Sequence, residues 1–215
     1  MWIINKRDNS GVHNGNYHGN FVPQIPHQLL LRYTKKGDWV LDPFMGSGTT
    51  LIEAQRLRRN SVGIELQESV AEEAKARINK EHLNGINSIV EVGDSRTFSY
   101  TNILKKANIE KFQFAIYHPP YGSIIKFSDS KDDLSNSRSL NDFLKKFGQV
   151  VDNSSNYLEK NRYCALVIGD MYKNGQVIPL GFECMNIFLK RGFQLKAILV
   201  KNFGDTKAKH NKQGI

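Results

Sequence analysis

Two separated clusters have residue types and spacing suited to chemistry: Asp42–Thr50, reading DPFMGSGTT, and Tyr117–Tyr121, reading YHPPY. The first follows an apolar run, Asp38–Leu41, and leads into the helix-like stretch Leu51–Leu57. A strand, a glycine-rich turn and a helix in that order set backbone N–H groups and a helix N-terminus against a polar ligand. The second cluster follows the strand-like run Phe112–Ile116 and places Pro119 and Pro120 between a histidine and a tyrosine. Double proline fixes φ twice and removes two N–H donors, so the neighbouring carbonyls point outward as acceptors. The first cluster suits a cofactor cradle, the second a rigid clamp for a planar group.

The elements that must position these clusters alternate along the chain. Helices are expected over 26–33, 48–58, 67–82, 101–107, 140–158 and 180–191. Between them fall six strands, at 39–41, 61–65, 88–92, 112–117, 163–168 and 193–201. This alternation predicts an α/β doubly wound, Rossmann-like sheet, mostly parallel, with helices on both faces. Residues 1–20, polar and rich in Asn, Gly and His, are expected as an arm, and 21–215 as a single domain.

In such a sheet, ligands bind outside the carboxyl ends of the strands. Here successive strands end at Asp42, Glu65, Asp94 and His118. An acid closing the second strand, about twenty residues past the glycine turn, can hold a ribose diol, which fits Glu65. Asp94 can accept from an exocyclic amino group such as adenine N6, and Asp42 can hold a cationic amino group. Taken singly, each acid is better explained as a solvated loop residue or a helix cap. Four polar residues at consecutive strand ends are not. Together they suit a zwitterionic ligand containing ribose and adenine.

Composition sets the outer limits. The chain has 215 residues, 40% apolar and 24% charged, which fits one ordinary domain with a substantial core. No apolar run approaches the ~20 residues that span a bilayer, and the N-terminus lacks a signal-peptide pattern, so a cytoplasmic location and no membrane partner are expected. Cys164 and Cys184 sit in apolar segments without metal-ligand spacing, so reduced core thiols and no metal are expected. The net charge of +9 favours a polyanionic partner, although basic enzymes with solvated surfaces are common.

With these residues in view, the chain resembles the S-adenosylmethionine-dependent DNA amino-methyltransferases, which methylate adenine N6 or cytosine N4. Asp42–Thr50 is similar to their cofactor motif, and Tyr117–Tyr121 to their catalytic (D/N/S)-P-P-(Y/F/W) motif. Phe21–Pro26, before the first helix, and Gly93–Asp94–Ser95 resemble two further family segments. The resemblance implies S-adenosylmethionine as cofactor. It assigns Phe21, Pro26, Asp42, Pro43, Phe44, Gly46, Ser47, Gly48, Glu65, Leu66, Asp94 and Ser95 to its binding. His118, Pro119, Pro120 and Tyr121 would be catalytic; Tyr121, Gly122 and Lys126 would meet the substrate. In the family, a side chain and the carbonyl after it accept both amino hydrogens and aim the nitrogen lone pair. Tyr121 would stack on a base flipped out of double-stranded DNA. The order of the motifs excludes the subclass in which the catalytic motif comes first. Adenine N6 is favoured over cytosine N4, with sequence-specific methylation as in restriction-modification; a homodimer is compatible.

Histidine at 118 departs from the family's Asp, Asn or Ser. A neutral imidazole can accept one hydrogen bond and a protonated one cannot. Activity should therefore fall as pH drops through the His118 pKa, and a flat profile from pH 8 to 5.5 would count against His118 as acceptor. The other reading is that His118 only packs or marks a changed substrate. Residues 122–160 fall where the family places substrate-recognition material. A seventh, antiparallel strand is expected between the fifth and sixth, yet 202–215 has no apolar run to form it. This suggests a chain shortened at its C-terminus, an idea that a native mass near 24.5 kDa would defeat. Two alternatives stay open: an RNA base-amino methyltransferase of the transfer-RNA guanine-N2 type, and an inert nucleic-acid-binding relative.

Overall fold

Five parallel strands form the frame that carries both clusters. The computed structural model describes residues 1–13, 15, 17, 19–120, 128–173 and 175–202. In chain order the elements begin with β1 (Trp2–Ile3), α1 (Gln24–Tyr33), β2 (Trp39–Asp42), α2 (Thr49–Arg56), β3 (Asn60–Glu65) and α3 (Glu68–Asn79). Next come β4 (Ser88–Val92), α4 (Thr101–Ala107), β5 (Phe112–Tyr117), a short 3-10 turn (Leu134–Asn136), α5 (Leu140–Ser155) and β6 (Leu158–Leu166). A hairpin of β7 (Met171–Lys173) and β8 (Gln176–Ile178), then α6 (Leu180–Leu189) and β9 (Lys201–Asn202), complete the described chain.

The main sheet has the order β4-β3-β2-β5-β6, parallel throughout. Winding reverses between β2 and β5, and the carboxyl ends on either side of such a switch point form a crevice. Strand pairing thus places Asp42–Thr50 beside His118–Pro120, although the two are distant in sequence.

Strand residues alternate between two cores because their side chains alternate between faces. Val40, Phe114 and Ile116 pack with Leu29 and Leu30 of α1 and Ala54 of α2. Leu41, Val62, Ile64 and Tyr117 pack on the other face with Tyr100, Phe143, Phe147 and Phe188. Local signals set the helix starts: the Ser139 hydroxyl accepts from the Asp142 N–H and caps α5. Gly48 enters α2 at φ 82°, where a Cβ would lie 3.0 Å from Ile78 Cδ1, so both backbone and space call for glycine there.

The fold class and the first five strands match the sequence expectation; the sixth strand does not. Residues 193–200 have no regular structure, and only Lys201–Asn202 pair, with Trp2–Ile3 rather than with the main sheet. Among the described residues the sheet stops at β6, with no gap. A strand beyond an absent neighbour would have no ladder partner for its N–H and C=O groups. Among the described residues the one antiparallel pairing is the hairpin of β7 and β8, so no antiparallel strand joins the main sheet there.

The segment expected as a polar arm lies against the domain. Trp2 and Ile4 pack on the core of α1, the Arg7 guanidinium donates to the Phe21 carbonyl at 3.0 Å, and His13 is buried.

Candidate active site

One cavity opens at the carboxyl ends of β2, β3, β4 and β5. Its cofactor-side wall is formed by Pro43, Phe44, Met45, Gly46 and Ser47, by Glu65 and Leu66, and by Gly93, Asp94 and Ser95. His118, Pro119 and Pro120 form the facing wall. The two sequence clusters therefore share a single space.

Backbone donors organise the cofactor-side wall. The Gly46 N–H donates to Glu65 Oε2 and the Gln67 N–H to Glu65 Oε1, both at 3.0 Å. Each carboxylate oxygen keeps a lone pair for a further donor. Burial pushes the Glu65 carboxyl above its ordinary value, and the nearby Asp133 charge adds to this, while those N–H groups oppose it. The Ser95 hydroxyl donates to the Pro43 carbonyl at 2.6 Å and ties the turn after β4 to the glycine-rich loop.

Asp94 carries a bidentate pair with Arg96 (Nε–H to Oδ1 at 3.0 Å and Nη2–H to Oδ2 at 2.6 Å), and the same guanidinium reaches Asp132 at 2.6 Å. Asp94 faces the cavity, but as half of an ion pair that also anchors the loop ahead of α5.

Three expected ligand contacts lie off the cavity. Asp42 is fully buried; it accepts from the Phe44 N–H at 2.9 Å, and burial pushes its carboxyl up to about 6. Its Oδ1 closes the turn after β2, and its side chain is not among those lining the cavity. Gly48 serves the start of α2, as described above. Pro26 is buried inside α1. These three support the cradle from behind. Tyr121, Gly122 and Lys126 lie outside the described residues.

His118 stands in the wall with its ring edge-on to Phe21, centroids 4.6 Å apart. Burial lowers its imidazole to about 4. At neutral pH the ring is uncharged and keeps one acceptor nitrogen. The expected fall in activity between pH 8 and 5.5 therefore moves down toward pH 4.

Sequence reasoning missed the wall supplied by Tyr17, Gly19 and Asn20, beside Phe21. Their one sequence signal is proximity to motifs, since none lies at a strand end.

With this geometry in place, four similarities are informative. Residues 1–76 match the N6/N4 family model described as DNA methylase. The Type II methyltransferase M.MjaII of Methanocaldococcus jannaschii is 45% identical over 56 residues, 26% of this chain and 10% of that protein. A tRNA (guanine(10)-N2)-dimethyltransferase of the same organism is 31% identical over 105 residues, 48% of this chain and 29% of that protein. The matches thus span less than a third of either relative's length. Among solved structures, the precorrin 8W decarboxylase of Methanobacterium thermoautotrophicum superposes with a TM-score of 0.55 at 14% identity, covering 88% of this chain and 82% of that one. That likeness concerns the fold alone. Over its first 76 residues, which hold the glycine-rich cradle and Glu65, the chain is similar to the N6/N4 DNA methylase family.

Proposed function

We propose that this domain transfers a methyl group from S-adenosylmethionine to the exocyclic amino group of a base in double-stranded DNA, adenine N6 in preference to cytosine N4. One observation carries the reading: the His118–Pro120 acceptor wall and the Gly46–Glu65 cradle face the same cavity.

The residues fit the cofactor. Glu65 retains acceptor capacity suited to ribose hydroxyls, and Asp94 and Ser95 line the side where adenine is expected. Bound there, S-adenosylmethionine would supply an electrophilic methyl group on a sulfonium. The chain's own task is to prepare the nucleophile. An amino group conjugated to its ring is a poor nucleophile, and acceptors on both its hydrogens localise the lone pair. The neutral His118 imidazole and the Pro119 carbonyl have the chemistry to serve as those acceptors. Pro119 and Pro120 keep that wall rigid, so positioning rather than a strong base supplies the acceleration. Tyr121 is assigned to stacking on the flipped base, worth ~1–3 kcal/mol.

Residues 21–215 are assigned to one methyltransferase domain, with recognition of DNA in 122–160. Within that stretch α5 buries Phe143, Phe147 and Val150 in the core, which leaves recognition to the residues ahead of it, near Lys126. The longer match to a tRNA guanine-N2 enzyme favours a second reading, methylation of an amino group in RNA.

Labelled-methyl transfer to duplex DNA, single-stranded DNA and transfer RNA separates the readings, and digestion identifies the modified base. N6-methyladenine from duplex DNA is the expected product; label in transfer RNA alone overturns the DNA assignment. His118→Ala should lower kcat by ~100-fold or more, as losing one preorganised polar group does elsewhere, while S-adenosylhomocysteine binding is kept. The loss of rate that comes from protonating His118 should appear only toward pH 4, below any change that comes from the Asp42 carboxyl near 6.

A further inference from the structure

The residues ahead of α1 do more than fill the surface. Glu53 on α2 is a buried carboxylate held by two imidazoles: His13 Nε2–H donates to Oε1 at 2.5 Å, and His27 Nδ1–H to Oε2 at 2.6 Å. The Arg56 guanidinium donates to the same Glu53 Oε1 at 3.1 Å. Two further ties flank this knot: the Val12 N–H donates to Glu81 Oε1 at 2.9 Å, and the Thr49 hydroxyl donates to Asn20 Oδ1 at 2.6 Å.

Between these anchors lies Tyr17. Its ring covers Gly46, where an added Cβ would lie 3.2 Å from Tyr17 Cε1. Both Tyr17 and Asn20 line the cavity. Burial, then the charges of Glu65 and Asp133, push the Tyr17 phenol above its ordinary value, so it is a neutral group that can donate. A floppy arm would need none of these buried ties. Fastening a polar segment at His13 and Asn20 makes physical sense if the residue between them must stay over the loop.

We infer that the described residues of 8–21 form a strap across the cofactor cavity, with Tyr17 a further cofactor-contacting residue and His13 and Asn20 its positioning residues. The assignment rests on the cofactor reading above. The strap adds a third wall to a cradle otherwise built from strand ends, and it encloses a ligand lying on Gly46 and Glu65.

Calorimetric titration of the full chain with S-adenosylhomocysteine tests it without reference to turnover. Tyr17→Ala should weaken binding by about tenfold or more, and His13→Ala by a similar factor. The combined variant should lose little more than either alone, because both changes release one strap. His13→Gln, which keeps a donor for Glu53, should recover part of the loss. Chymotrypsin cleavage after Tyr17 in the unaltered protein gives a second measurement that no variant's folding can confuse. Saturating S-adenosylhomocysteine should slow that cleavage by about tenfold. If the parent binds and Tyr17→Ala binds within about twofold of it, or the ligand leaves cleavage after Tyr17 unchanged, the strap is overturned and the cofactor reading stands. If the parent does not bind S-adenosylhomocysteine at all, both are overturned.

Discussion

The two flanks of this domain invert what their compositions suggest. Residues 8–20 are polar and glycine-rich, yet His13 is only 8% exposed and sits in a network reaching α2 and Glu81. Residues 193–200 are apolar enough to look like a core strand, yet Leu195, Ile198 and Val200 are 51%, 57% and 62% exposed. The difference teaches that burial follows available partners rather than hydropathy. The polar segment finds a carboxylate and backbone groups that satisfy it. The apolar segment meets a strand only at its end, where the Trp2 N–H donates to the Val200 carbonyl at 2.8 Å, and among the described residues 193–200 join no ladder.

Mutations can break or sharpen this contrast. The largest effect is expected where the polar segment meets the core. Glu53→Ala leaves His13 and His27 without their acceptor, and should cost about 1–3 kcal/mol of unfolding free energy in urea. A smaller loss, about 0.5–1.5 kcal/mol, is expected for Thr49→Val, which removes the hydroxyl bond to Asn20 Oδ1. Next comes a pH effect. Burial alone would raise the Glu53 carboxyl, but the bonds from His13 and His27 and the charges of His13 and Arg56 together outweigh it and leave the carboxyl below its ordinary 4.5. A depressed folded value contributes stability that is present above pH 4.5 and is lost as pH falls through the folded value. Urea midpoints of the parent should therefore drop below pH 4.5, and Glu53→Gln should flatten that part of the profile. The smallest effect belongs to the other flank: Ile198→Ser or Val200→Ser should change stability by less than about 0.5 kcal/mol, as surface substitutions do. A loss above about 2 kcal/mol there would mean that the segment is buried in solution.

Much of the frame was legible in advance. β2, β3 and β4 are short runs bounded by turn signals, with an acid at the end or just past it, which is why Glu65 and Asp94 could be placed at the cavity. Asp42 could not be resolved from the same pattern. A strand-end acid may turn outward to a ligand or back to its own loop, and the Phe44 N–H decides for the loop. Asp94 met a cation, Arg96, two residues away, a local pairing that strand-end reasoning passed over. The strap escaped because its partners, Glu53 and Glu81, are distant in sequence and carry no periodic signal.

The amino-acid sequence by itself determined the α/β alternation, the glycine-rich cradle and the proline clamp, because propensity, turn chemistry and fixed φ act over a few neighbouring residues. Tertiary structure alone decided that the two clusters share one cavity, since strand order sets β5 beside β2. It also decided that His118 is neutral, because desolvation depends on everything packed around the ring. And it decided which end of the domain is fastened: the partners that bury His13 and leave Val200 exposed meet, or fail to meet, only in the folded chain.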